Sequence, residues 1–134
     1  MKMNKLEFLE HPRFTKELKK MKRKCPSVYD DFGTFKKALT VDLKNNNNII
    51  PLDSNKYSNV QGLKTRYFPT VFKRFHCMKS NRGAGQTPFR LTFVYSADDF
   101  LVYFAEFYYK EDKEFEDLDR LVDVIRRIDR LNNE

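Results

Sequence analysis

Residues 71–113 read VFKRFHCMKSNRGAGQTPFRLTFVYSADDFLVYFAEFYYKEDK, and the fold is decided there. Three runs within it, Val71–Met78, Phe89–Ser96 and Leu101–Tyr109, are rich in aromatic and β-branched residues, which favour extended chain. The first two are separated by a polar loop, Lys79–Pro88, containing Gly83 and Gly85, and the last two by the tight Ala97–Asp98–Asp99 turn. This pattern predicts a three-stranded antiparallel meander. Strict alternation in the first strand assigns Phe72, Arg74, His76 and Met78 to one face and Val71, Lys73, Phe75 and Cys77 to the other.

Toward the amino terminus, Lys5–Leu9 alternates around Leu6 and Phe8 and reads as a short strand closed by Pro12. Phe14, Leu18, Met21 and Cys25 then form one apolar stripe, predicting a helix from near Thr15 with Cys25 on its core side. Pro26 stops that helix. Ser27 suits the N-cap of the next, with Asp30 and Asp31 near its positive end and Val28, Phe32, Phe35, Leu39 and Leu43 along its buried side. The polar stretches Asn45–Asn48 and Asp53–Gln61 read as connection. After the meander, Phe115, Leu118, Leu121, Val122, Ile125 and Ile128 predict a third amphipathic helix. The expectation is one α+β domain over residues 1–134. Its N-terminal strand and helical hairpin pack on a small antiparallel sheet with a C-terminal helix, one sheet face covered and the other free.

The composition agrees with a packed core, since 13 Phe and 7 Tyr supply large apolar area. The longest apolar runs are far shorter than the roughly 20 residues of a membrane span, and the Lys-rich start has no apolar secretion segment. Cys25 and Cys77 lack a CxxC or a His partner at ligand spacing, so two reduced thiols in a cytoplasmic protein are expected, with no metal. The net charge of +7 hides an asymmetry. Residues 1–110 carry 21 Lys and Arg against 10 Asp and Glu, whereas residues 111–134 carry 5 against 9. The basic part favours a polyanionic partner, because each neutralised phosphate releases counterions.

Zinc-protease, nucleophile-elbow and P-loop motifs are absent, and Arg82–Gly83–Ala84–Gly85 precedes a strand where a dinucleotide loop needs a helix. What remains is a concentration of cations on the predicted sheet: Lys73, Arg74, His76, Lys79, Arg82, Arg90, Lys110 and Lys113. Lys73 and Lys79 also suit solvated edge charges that discourage aggregation. Arg90 stands out, because an unpaired charge in the run Phe89–Tyr95 is costly unless it meets a phosphate, a carboxylate such as Glu106, or solvent.

Val71–Gly83, Phe89–Phe93 and the Phe107–Lys113 segment together resemble the HigB-like branch of the RelE/ParE toxin superfamily. In that branch a lysine-rich strand leads to a Gly-Arg-Gly-like loop, a strand with a central Arg, a Tyr-x-Lys strand end and an Asp-Lys dipeptide. Two departures exist: Thr87–Pro88–Phe89 replaces the usual glycine, and Phe93 stands where relatives often carry Tyr. The resemblance implies the toxin of a type II toxin–antitoxin system, an mRNA-cleaving endoribonuclease acting on the ribosome, neutralised by a cognate antitoxin. It implies no cofactor and no membrane partner. A ribose 2′-oxygen attacks the adjacent phosphate, leaving a 2′,3′-cyclic phosphate, and cations stabilise the phosphorane. On matching positions Arg90 clamps the scissile phosphate, Arg74 and Arg82 hold flanking phosphates, and Lys110 sits where the family places a late functional group. Tyr108 or Tyr109 stacks on a base, with Lys73, Lys79 and Lys113 beside the RNA. His76 is a proton carrier by its ordinary pKa rather than by family position. A ParE-like gyrase poison and a non-catalytic RNA- or partner-binding domain remain as alternatives, the second supported by the two departures.

Overall fold

The computed structural model describes residues 5–79, 89–113 and 115–133. In chain order the elements are β1 (Glu7–Glu10), α1 (Pro12–Met21), α2 (Val28–Lys44), a 3-10 turn (Leu52–Ser54), β2 (Tyr57–Asn59), β3 (Phe68–Phe75), β4 (Phe89–Ser96), β5 (Leu101–Tyr109) and α3 (Leu118–Asn132). The α+β class is as expected from the sequence. The sheet is mixed rather than antiparallel, with strand order β1-β5-β4-β3-β2. Strands β2 to β5 pair antiparallel, while β1 runs parallel to β5, Glu7 opposite Leu101. A parallel neighbour requires a long crossover, and the chain from α1 to β4 supplies it.

Both helical layers form where apolar spacing and local chemistry agree. His11 caps α1 by accepting the Arg13 N–H at Nδ1, 3.1 Å, and Pro12 takes the first helical position, where a missing N–H costs nothing. The helix ends at Met21, so Cys25 lies in the turn that follows, although it is fully buried. The Asn run after α2 closes it. Asn47 and Asn48 adopt positive φ of 57° and 61°, which Asn tolerates better than most side chains, and the Asn48 N–H returns to the Leu43 carbonyl at 2.8 Å. The expected connection at residues 53–61 holds a strand. Tyr57 is buried against Phe72, ring centroids 5.2 Å apart, so one aromatic residue among polar neighbours is enough to dock β2.

Neither face of the sheet is entirely free. On one side α1 and α2 bury Phe72, Phe75, Leu91, Phe93, Phe104 and Phe107; Phe104 meets Phe8, Phe14, Phe32, Phe35 and Phe93. On the other, α3 inserts Leu121, Val124 and Ile128 against Val71, Val94, Leu101, Tyr103 and Ala105. The expectation of one open face is therefore corrected to half a face, because α3 crosses only one end of it. Phe115, expected in α3, precedes the helix and is exposed; the helix begins after Asp117, whose carboxylate accepts the Arg120 N–H.

Two further expectations fall. A bulge lies between Phe72 and Phe75, and both rings point into the α1–α2 core, so strict alternation fails at Lys73 and Arg74. Cys25 and Cys77 are a disulfide, not two free thiols, with Cα atoms 5.9 Å apart. The sequence carried no sign of this pairing because it joins the helical turn to the end of β3 across 52 residues. The same junction has polar anchors: Asp31 accepts the Met78 N–H and the Ser27 hydroxyl accepts the Lys79 N–H, each at 3.0 Å.

Replacing Phe104 with Ala removes the ring shared by the strand and both helices, and is expected to cost about 3–5 kcal/mol in denaturant unfolding. Reducing the disulfide of the wild-type chain releases the loop constraint on the unfolded state. The same measurement should show a loss of up to about 4 kcal/mol.

Candidate nucleic-acid cleft

The end of the sheet that α3 leaves uncovered holds an open cleft of about 340 Å³. Its floor takes residues from successive strands: Val71 and Lys73 from β3, Arg90 from β4 and Tyr108 from β5, the last two being direct cross-strand partners. Ser58 and Asn59 of β2 form one wall, and Lys110, Phe115 and Glu116 form the other. Local alternation with hairpin-facing neighbours places Lys73, Arg90 and Tyr108 on the α3 side, since Phe72, Phe89, Leu91, Phe107 and Tyr109 face the helical hairpin.

Arg90 is held rather than loose. Its Nη1 donates to the Lys73 carbonyl at 2.6 Å, so it satisfies a backbone acceptor at the bulge. A guanidinium has five N–H donors, and this bond leaves others for the cleft. Glu106 is not its partner. That carboxylate, 2% exposed, accepts the Lys113 ammonium and, at 2.8 Å, the Asp117 N–H. Burial of such an acid is tolerated because both bonds are made. Tyr108 has its hydroxyl pKa pushed up to about 12, first by burial, then by the Glu116 and Glu106 carboxylates, with Arg90 acting the other way. It is therefore a neutral O–H donor across the physiological range.

The ten expected site residues divide. Lys73, Arg90, Tyr108 and Lys110 converge on the cleft. Arg74, His76 and Lys79 are exposed and do not line it, the first two because the bulge and the end of β3 at Phe75 interrupt the strand. Tyr109 is buried on the opposite side, packed on Phe89 at 5.2 Å with the Lys24 ammonium 4.1 Å from its ring centre. Lys113 is engaged by Glu106 and lies 5.7 Å over the Tyr108 ring. Arg82 lies outside the described residues.

A larger cavity, about 480 Å³, opens on the other side of β5, between α1 and the segment preceding α3. Strand β1 covers β5 only as far as Phe104, and side chains complete the edge beyond it. Glu17 accepts the Phe107 N–H at 3.1 Å, while Arg120 donates to the Ala105 carbonyl at 3.1 Å and to Glu17 at 2.6 Å. His11 adds a further tie to α3 through Asp123, 2.8 Å. That hydrogen bond, with Arg127 beside it, holds the Asp123 carboxyl below its usual range.

Sequence reasoning missed Ser58, Asn59 and Glu116 in the cleft. The first two sit on a three-residue strand of polar composition, and Glu116 is one acid in an acidic run; only the register of β2 and the Glu106–Asp117 bond bring them in. Among the described residues, metal-type ligands gather at Cys25, Asp31 and Cys77, on the hairpin side of the sheet. Comparison with protein-family models, curated proteins and solved structures finds no match.

The raised Tyr108 pKa has a defined consequence for stability. Folding favours the protonated phenol, so this contribution is intact below about pH 10 and is lost as pH rises toward 12. Spectrophotometric titration of wild type minus Tyr108→Phe should show one phenol ionising near the upper value, not the lower.

Proposed function

We propose that the chain is a RelE/ParE-like toxin of the HigB-like kind, a cytoplasmic endoribonuclease that cleaves mRNA on the ribosome and is held in check by a cognate antitoxin. The observation that carries this reading is the convergence of Lys73, Arg90, Tyr108 and Lys110 on one open cleft. Three cations suit the backbone of a single strand of RNA, and the exposed Phe115 ring in the cleft wall is one on which a base can stack, whereas Tyr108, 6% exposed, is too covered for that. The strand order and the helical hairpin are compatible with the same reading at the level of the α+β class.

In the reaction this implies, Arg90 and Lys110 stabilise charge as the 2′-oxygen attacks, Arg90 by a fork pre-oriented through its bond to the bulge. His76 stands outside the cleft, so the lining side chains able to exchange protons are Glu116 and Tyr108. A carboxylate suits the base, and the phenol, whose raised pKa disfavours releasing its proton, suits a hydrogen-bond donor to the charge building on the phosphorane. The cationic floor also suits an acidic segment of an antitoxin, which would exclude RNA by occupying it.

Lys110 is exposed and outside the core, so its replacement by Ala should leave the fold intact. Induced expression of wild type is expected to arrest growth and to generate new RNA ends bearing 2′,3′-cyclic phosphate, mapped by primer extension and end-specific ligation. Lys110→Ala should lower cleavage by about 10²–10³-fold. Growth arrest without new RNA ends would overturn the ribonuclease reading and leave the gyrase-poison alternative standing.

A further inference from the structure

The Cys25–Cys77 pair lies in a more polar setting than a cross-link requires. Asp31, 8% exposed, places Oδ2 3.6 Å from Cys25 Sγ, and Ser27 Oγ lies 3.9 Å from Cys25 Sγ and 3.8 Å from Cys77 Sγ. A disulfide has no S–H to donate, so neither oxygen gains a hydrogen bond from it. Both sulfurs and an Asp31 oxygen lie within 4.8 Å of one another, and all three residues are buried. We propose that in the reduced chain Cys25, Cys77 and Asp31 form a thiolate–carboxylate site for a divalent cation of the zinc class.

One ligand separation already suits such an ion, and the two sulfurs, bonded to each other in the disulfide, part on reduction to admit it. Tetrahedral zinc with bonds of about 2.3 Å to sulfur and about 2.1 Å to oxygen separates those two ligands by about 3.6 Å. Cys25 Sγ and Asp31 Oδ2 already stand 3.6 Å apart. Two thiolates select a borderline-soft cation over magnesium or calcium. Ser27, donating to Asp31 Oδ2 at 2.6 Å, and the Met78 N–H, donating to the same oxygen at 3.0 Å, hold the carboxylate beside the sulfurs. Those bonds and that from the Lys79 N–H to Ser27 keep the end of β3 against α2 when the sulfur bond is broken, so the donors remain together.

The chemistry balances. A dithiol reductant supplies two electrons and two protons to the S–S bond and leaves as its own cyclic disulfide, giving two thiols; metal entry then expels both thiol protons. In a reducing compartment the pair is open, and the cation takes over the cross-link between the helical turn and β3. The site is independent of the cleft and of the proposed RNA chemistry, since it lies on the hairpin side of the sheet.

The test uses the full chain, reduced under anaerobic conditions, with the reductant removed before titration with cobalt(II) and then zinc(II). One equivalent of cobalt is expected to bind with thiolate charge-transfer absorbance that zinc abolishes, and zinc should raise the melting temperature of the reduced chain only. Asp31→Asn, which keeps the side chain's shape, should weaken binding at least about tenfold. The disulfide form and Cys77→Ser should show no charge-transfer band. Equal binding by reduced and oxidised chains, no stoichiometric band in the reduced wild type, or unchanged affinity in Asp31→Asn would each overturn the proposal. A reduced chain that loses its circular dichroism and does not regain it with zinc would also overturn it.

Discussion

A carboxylate buried in an otherwise apolar strand is the constraint on which the working end of this molecule depends. Glu106 sits in β5 with aromatic neighbours along the strand, and its burial there is compensated by Lys113 and the Asp117 N–H, which reach it. Both partners lie in the segment after β5. Satisfying one buried acid therefore folds that segment back over the sheet, fixes Asp117 as the cap from which α3 starts and sets Lys110, Phe115 and Glu116 along one wall of the cleft. The Glu17–Arg120 pair does the corresponding work on the opposite edge of β5, where β1 stops short.

The same logic explains why the cleft is small and lies at one end. The sheet is covered on its hairpin side over most of its area, but α3 packs on the other side only over Val71, Val94, Leu101, Tyr103 and Ala105. Uncovered positions must tolerate water, and these are occupied by the half-buried Lys73 and Arg90, with Tyr108, though buried, beside them. Arg90, the charge hardest to place from sequence, resolves into a dual role: it closes a hydrogen bond at a bulge and presents its remaining donors outward.

Much of the architecture was legible because it rests on local periodicity. The stripes Phe14–Leu18–Met21 and Phe32–Phe35–Leu39–Leu43 gave the hairpin, and aromatic runs gave β4 and β5 to the residue. What periodicity cannot encode was lost. A bulge breaks alternation without leaving a mark in composition, so the shared face expected for Arg74 and His76 did not extend to the cleft. The disulfide and the parallel β1–β5 pairing depend on residues far apart in the chain, and β2 is held by one tyrosine. Four cleft residues were nonetheless within reach, since Arg90, Tyr108 and Lys110 stand on or directly after strands that their composition marks, and Lys73 directly follows Phe72 at the start of the bulge; their meeting depends on the register shifts in β3 and between Thr92 and Phe93, which composition does not mark.

The parallel seam between β1 and β5 also bears on how the chain reaches its shape during synthesis. Glu7 is made before its partner Leu101 and before all of the chain that lies between them. The hairpin's apolar stripe must therefore wait for the central strands, and the sheet's outer edge is closed last, after β4 and β5 have paired. Contacts so distant along the chain slow folding because loop closure is needed before they contribute. Until then, the nascent chain carries exposed aromatic surface, and the lysines and arginines of α1 are the local means of keeping it from associating with its neighbours.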